Sequence, residues 1–268
     1  VNLLVLEGDE TGTVIGRNDR RYEHVKKVLK KHAGDEVEAG IAIDSPFGPA
    51  PGSIGMAHIA SLDEGGMKLV YRPVREADPL PPIRLILGFP RPIQANRIFK
   101  DLTSLGLAEL ILTGTELGEK SYLESDFFRA REYRRPLLEG AEQAANPRIA
   151  RVSQHWSLRQ CLESLERDDA DSLSPDEPSW PQGRHIALHP DSKARPLSIA
   201  MAKHGSPTRP AMLPVTMAIG SERGWTEREL EMLRGHGFEI CSLGSRILKT
   251  ETACAAAITL ALASLSLL

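Results

Sequence analysis

The sequence predicts an α/β protein in which a larger C-terminal domain is built on a mostly parallel sheet and a smaller N-terminal domain is mostly β. Three stretches predict this. From Pro214 to Ala253 the chain runs strand, glycine-containing loop, helix, strand, second glycine-containing loop and helix, the rhythm of a parallel sheet. Ile83 to Phe89, a helix opened by Pro92, and Ala108 to Thr113 make a βαβ beginning upstream of it. The first 74 residues are short alternating runs with a single helical interruption.

In chain order, Leu3 to Leu6, Glu36 to Ile43, Ile54 to Ser61 and Met67 to Val74 read as strands separated by Gly, Pro and Asp. Tyr22 to Lys31 reads as a helix, with Val25, Val28, Leu29 and His32 on one apolar face. Lys26, Lys27, Lys30 and Lys31 load the rest of it with positive charge, either a solvated surface or a contact for a polyanion. Pro73 to Pro82 is too proline-dense for a regular element, and it divides a domain of residues 1–74 from one of residues 75–268.

The helix from Pro92 carries Ile98, Phe99, Leu102 and Leu105 on one face, and Asp126 to Ala145 is a long helical pattern with Arg129, Arg131, Arg134 and Arg135 in its first half. Arg167 to Gly183 is acidic, proline-rich and aperiodic, hence a loop. His185 to His189 is the next strand, its two histidines structural rather than a metal pair. Val215 to Ile219 is a buried parallel strand ending at Gly220. Thr226 with Glu229 forms a capping-box pattern for a helix bearing Leu230 and Leu233, stopped by Gly235 and Gly237. Phe238 to Leu243 is a further strand, and Thr250 caps a last helix, with Glu251 in its first turn where the helix dipole favours a carboxylate. Ala253 to Leu268 is apolar but shorter than the roughly 20 residues of a membrane span. Thr259, Ser264 and Ser266 interrupt it, so it reads as a helix buried in a core or a dimer interface.

Composition narrows the function. The net charge of −3, from 33 Lys and Arg against 36 Asp and Glu, excludes a polycation, so any nucleic-acid contact must be a local basic surface. Cys161, Cys241 and Cys254 lack C-x-x-C spacing and read as core thiols of a reducing compartment. With no basic-then-apolar leader pattern at the start, this points to the cytoplasm. Gly114 to Ser121 superficially resembles a phosphate loop, but three residues rather than four separate its glycines and Glu119 precedes Lys120, which excludes one. No metal-binding motif occurs. The two glycine loops at the ends of adjacent parallel strands make a crevice, the place where open α/β sheets bind ligands.

The loop Ile219-Gly220-x-Glu222-x-Gly224, the Gly237-Phe238 pair and the run Leu243-Gly244-x-Arg246-Ile247-Leu248-x-Thr250-Glu251-Thr252-Ala253 resemble the RsmE family. These are SPOUT-superfamily methyltransferases that act on one uridine N3 of bacterial 16S rRNA. The resemblance continues upstream: His24, Val28, Leu29, Gly34 and Asp35 match the pattern H-x-x-x-V-L-(R/K)-x-x-x-G-D with Lys30 at its basic position. Ala141-Glu142-Gln143 matches the family's A-E-Q. It implies a C-terminal SPOUT domain with a deep trefoil knot, an N-terminal PUA-like β-barrel that handles RNA, and a homodimer. S-adenosyl-L-methionine would be held by Leu188, His189, Ile219, Gly220, Ser221, Glu222, Gly224, Ser242, Leu243, Gly244, Ile247 and Leu248. Glu222 would accept the N3 proton, with Arg246 or Lys249 stabilising charge on the uracil. His24, Lys26, Lys27, Lys30, Lys31, Arg91, Arg97 and Arg223 would contact the 16S rRNA of the small ribosomal subunit.

The chain departs from the family pattern in four places. Ser221 stands for a proline and Arg223 for a glycine. Ser104 stands for the glutamate of T-E-L-G, and Asn146 lies near the place of an arginine after A-E-Q. These departures leave two other readings open: a SPOUT enzyme with a different target nucleotide, and an RNA-binding or ribosome-assembly factor without turnover.

Overall fold

The computed structural model describes residues 3–8, 10–44, 52–171, 180, 183–191, 193–202 and 213–268. The chain opens with β1 (Leu4–Leu6), β2 (Val14–Ile15), α1 (Arg20–Glu23), β3 (Glu36–Ile41), β4 (Ser53–Asp63) and β5 (Gly66–Glu76). These strands form one sheet in the order β1-β3-β4-β5-β2, parallel at β1–β3 and antiparallel elsewhere. There follow β6 (Ile83–Gly88), α2 (Pro92–Ser104), β7 (Glu109–Thr113), α3 (Lys120–Leu123), α4 (Asp126–Arg129), α5 (Arg134–Ala144), β8 (Arg151–His155) and α6 (Leu158–Asp171). The chain ends with β9 (Arg184–Leu188), β10 (Arg195–Pro196), α7 (Leu197–Ala200), β11 (Val215–Ile219), α8 (Glu227–Gly235), β12 (Glu239–Ser242) and α9 (Thr250–Ser264).

The second sheet runs β10-β12-β9-β11-β6-β7-β8 with every pair parallel. All its strands therefore end at one edge. β6, β7 and β11 are buried along their whole length, as strands covered on both faces must be. Leu85, Leu87 and Met217 pack with residues of α2, α5 and α9 on one face. Ile86, Ile111 and Ala218 pack with residues of α6 and α8 on the other. α9 buries Cys254, Ala257, Ile258, Ala261 and Leu262 against α2 and β11. Among the described residues no helix is long and apolar enough to cross a membrane.

The short strand β1 joins the two sheets. Its alternation sends Leu4 and Leu6 into the core of the small sheet, while Leu3 and Val5 enter the core of the large one. Charge reinforces the junction. The Arg134 guanidinium donates to both oxygens of Glu7 at 2.7 and 2.9 Å and to Asp44 at 2.9 Å. Glu142, of the A-E-Q run, is fully buried and pairs with Arg20. Burial pushes the Glu142 carboxyl above the usual range, with the Arg20 guanidinium opposing. Removing one partner of a buried pair strands the other charge, so Arg20→Ala should destabilise the protein by about 3 kcal/mol at neutral pH. Without Arg20 the carboxyl pKa rises further, and the native variant then binds a proton that the unfolded chain lacks. The deficit should therefore shrink as pH falls through that raised value. Urea titrations at neutral and acid pH check both size and sign.

Several expected elements are altered by tertiary context. The helix over Tyr22–Lys31 is only α1, capped by Asp19, followed by a π-turn at His24–Val28. Lys30 turns left-handed with φ +52°, so Val28 and Leu29 are exposed and only Val25 is buried. The expected break from Pro73 begins later, because β5 continues to Glu76. β2 pairs only with Met67 and Lys68. Pro73 thus sits where β5 has one free edge, beside a register irregularity in β4, a position that needs no second N–H donor.

The long helix over Asp126–Ala145 is broken into α4 and α5 at Arg131, φ +56°, because Phe127 and Phe128 turn into the core against Phe99. Helix α6 extends to Asp171, into the stretch expected to be loop from Arg167. The remainder of that acidic segment, apart from Trp180 and Gly183, lies outside the described residues. Lys249, not Thr250, is the N-cap of α9, without a side-chain bond.

The three cysteines are buried and free. Burial pushes the Cys161 thiol up to about 12 and the Cys241 thiol up to about 11, and raises Cys254 as well. Native protein should therefore resist alkylation at mildly alkaline pH, and denaturant should release all three thiols. A timed thiol-reagent assay with and without denaturant measures it.

Candidate active site

The site follows from the level ends of three adjacent strands. Leu188 of β9 lies beside Ile219 of β11 and Cys241 of β12, so the loops after these strands leave the sheet together. They enclose a cavity of about 320 Å³, within the size of small-ligand pockets. Leu188, His189 and Pro190 come from the first loop, Ile219 to Gly224 from the second, and Leu243, Gly244, Arg246, Ile247 and Leu248 from the third, with Thr250 and Ala253 of α9 closing it.

The second loop is a tight fold of backbone on backbone. Gly224 donates its N–H to the Ser221 carbonyl at 2.8 Å and takes φ +75°, a conformation that favours glycine. A Cβ on Gly220 would lie 2.7 Å from the Gly224 carbonyl carbon, and one on Gly88 would lie 2.4 Å from the Ser221 nitrogen. Gly244, at φ +103° with open space beside it, turns the third loop back over the cavity. Ser221 is buried, and its hydroxyl accepts from Thr115 Oγ1 at 3.1 Å.

Polar groups around the cavity differ in their engagement. Glu222 is exposed and its Oε1 accepts the Arg91 backbone N–H at 2.9 Å, at the N-terminus of α2. His189 Nδ1 and Glu251 Oε2 are buried without a hydrogen-bond partner among the described residues. Arg246 and Lys249 are exposed on the third loop and at the start of α9. Arg223 pairs with Glu119 at 3.0 Å.

Of the residues assigned to the cofactor from sequence, Leu188, His189, Ile219, Gly220, Ser221, Glu222, Gly224, Leu243, Gly244, Ile247 and Leu248 line this one cavity. Ser242 does not: it is buried at the end of β12 and its hydroxyl donates to the Ala194 carbonyl at 3.3 Å. Arg246 and Arg223 line the cavity, and Lys249 follows it in the chain. Arg91 donates from Nε to Tyr122 Oη at 2.9 Å, and Arg97 is exposed on α2.

His24 and the lysines belong instead to the small sheet's side of the molecule. Lys26 reaches Tyr22 Oη at 2.9 Å and Lys27 pairs with Glu23, whereas Lys30 is exposed and Lys31 half-buried. The desolvated His24 imidazole is shifted below its usual value. Two of the departures also lie away from the cavity. The Ser104 hydroxyl bonds to Asp101 at the far end of α2, and Asn146 donates to the Asp78 carbonyl between the sheets.

The segment from Gly114 to Glu119, which lacks the phosphate-loop spacing, is a buttress. Thr115 holds Ser221, Glu119 holds Arg223, and the Glu116 carboxylate accepts from Thr226 Oγ1 at 2.7 Å. Glu116 N–H donates to Glu229 of the observed capping box. Its residues carry no catalytic motif, so only the packing exposes their role.

Residues 76–262, which hold this parallel sheet and its three-loop cavity, match the family model described as an RNA methyltransferase domain. Over 268 residues the chain is 33% identical to the ribosomal RNA small subunit methyltransferase E of Treponema pallidum, covering 98% of this chain and 91% of that protein. It is 27% identical to the ribosomal RNA small subunit methyltransferase E 1 of Borreliella burgdorferi, covering 96% and 95%. A crystal structure of the Neisseria gonorrhoeae ribosomal RNA small subunit methyltransferase E bound to S-adenosyl methionine shares the fold, with TM-score 0.64, 17% identity and 97% coverage of each chain. The chain belongs to the ribosomal RNA small subunit methyltransferase E family.

Proposed function

We propose that this protein transfers a methyl group from S-adenosyl-L-methionine to N3 of a uridine in the 16S rRNA of the small ribosomal subunit. One observation carries the reading: the three-loop cavity stands at the carboxyl edge of the sheet in a chain matching an RNA methyltransferase domain over residues 76–262. The lining suits the cofactor. Ile219, Leu243, Leu248 and Ala253 offer apolar walls for an adenine, and the glycine-bent loops bring main-chain groups close. The unpartnered His189 Nδ1 is a polar group that a ligand would satisfy. Ser221, a departure that lines the cavity, is tied to Thr115, which supports retained binding.

When bound, S-adenosylmethionine supplies a methyl carbon activated by its sulfonium. The chain's tasks are to align uracil N3 with that carbon, exclude water and remove the N3 proton. Glu222 is the proton acceptor in this reading. Its Oε1 is held by the Arg91 N–H, which orients the carboxylate and leaves Oε2 to take the proton. Arg246, on the cavity wall, and Lys249 stabilise charge developing on the uracil oxygens.

With this function go finer structural features: a trefoil knot through the cofactor loops, a PUA-like barrel formed by the N-terminal sheet, and two domains dividing between β5 and β6. A homodimer would cover Ile247, which is 86% exposed at the cavity rim, and the setting is the cytoplasm. Lys30 and Lys31, with Arg97, serve as rRNA contacts whose binding weakens with salt.

The test is transfer of labelled methyl to small subunits from cells lacking the modification, with naked 16S rRNA alongside and the labelled nucleotide mapped. Label at uridine N3 is expected. Label at another position would replace the target, and cofactor binding without any transfer would overturn the catalytic reading.

A further inference from the structure

We propose that a single-stranded RNA segment flanking the methylated nucleotide docks beside the cofactor loops, stacking a base on Trp156 and seating phosphates against Arg159 and Arg228. This rests on the RNA methyltransferase reading above and adds a site to it. The site is a cavity of about 250 Å³ on the same edge of the sheet, between the turns after β7 and β8 and the helices α6 and α8.

Trp156 is the anomaly that points to it. The indole is 71% exposed, although the backbone beneath it is fixed. A Cβ on Gly114 would lie 2.1 Å from the Trp156 carbonyl oxygen, and the Gly114 N–H donates to His155 at 3.0 Å. Leu158, Cys161 and Leu162 fill the core under α6 without it. A large aromatic presented to water from closely packed backbone is a platform for a planar partner.

Two arginines, Arg159 and Arg228, line the cavity alongside Glu116 and Glu229, and their guanidinium chemistry favours an RNA strand. Arg159 is exposed on α6, and Arg228, with its side chain 71% exposed, stands across the cavity, 3.4 Å from Glu116. Guanidinium groups beside an aromatic face match the phosphates and bases of a single strand. The wall between this cavity and the cofactor loop is the buttress of Thr115 and Glu116, bonded to Ser221 and Thr226. A strand leaving the methylation site would therefore meet Trp156 next.

Intrinsic fluorescence tests the platform directly, because Trp180 and Trp225 are each only 4% exposed. Titration with single-stranded oligouridylate should quench the emission of the wild type but not that of Trp156→Ala. The KM for unmodified small subunits should rise roughly 5- to 150-fold in Trp156→Ala, the range of a lost base stack, and much less in Trp156→Phe. Cofactor affinity should be unchanged in both. The double variant Arg159→Ala, Arg228→Ala should bind oligouridylate with a shallower salt dependence.

If the wild type binds no cofactor and transfers no methyl, the enzymatic reading fails while the oligonucleotide titration still decides the platform. Absent quenching would overturn the proposal. So would a raised KM for subunits without oligonucleotide binding, which assigns Trp156 to a ribosomal protein, or a change of oligomeric state in Trp156→Ala, which assigns it to a second copy.

Discussion

Gly88→Ala and Gly220→Ala should each weaken S-adenosylmethionine binding by roughly 5- to 150-fold, the equivalent of an overpacking penalty of about 1–3 kcal/mol. The two glycines act on one loop. A methyl on Gly220 would meet the Gly224 main chain at 2.7 to 3.0 Å, and a methyl on Gly88 would meet Ser221 N at 2.4 Å and Gly220 C at 2.8 Å. In each case the obstacle is backbone, which cannot rotate aside as a side chain can. The loop must shift, and the cavity wall from Ile219 to Gly224 shifts with it. Isothermal titration with the cofactor measures the loss, and thermal unfolding separates it from a folding defect. Gly224→Ala provides a contrast: open space surrounds its Cβ position, but φ is +75°, so its penalty is conformational strain alone.

Glu222→Gln should lower kcat by roughly 100- to 10,000-fold, the usual range for loss of a positioned proton acceptor, with little change in cofactor affinity. The glutamine oxygen can still accept the Arg91 N–H that Glu222 Oε1 accepts at 2.9 Å, so the loop keeps its anchor. Glu222→Ala loses both the anchor and the base. If the residue only anchors the loop, Gln restores activity and Ala does not. If it takes the proton, both variants are slow, and Glu222→Gln recovers as pH rises and the uracil imide ionises unaided. Single-turnover rates across pH distinguish the two cases.

The parts legible from sequence are those set by local pattern. The strands from Ile83, Ala108 and Val215 carry mostly apolar runs, interrupted by Arg84, Glu109 and Thr216, because both faces of the sheet are covered. The Thr226–Glu229 box reads directly because its bonds join residues three apart. The short edge strands β2, β8 and β10 are not legible from sequence because they carry few buried apolar residues. The helix over Asp126–Ala145 misled for the opposite reason: its local pattern is helical, but burial of Phe127 and Phe128 has more to offer than one continuous helix.

By itself, then, the sequence determined the α/β class, the principal buried strands and the two glycine loops that follow adjacent parallel strands, because periodicity and glycine placement act over a few residues. Tertiary structure alone decided that Gly114 to Glu119 braces the 220–224 loop across more than a hundred residues of chain. It decided that Glu142 is a buried charge paired with Arg20, and that Ser104 and Asn146 lie away from the cavity. Those facts depend on which distant groups meet. Hydrogen bonds and buried ion pairs between such groups leave no period in the sequence, because their geometry exists only once both partners have been folded into place.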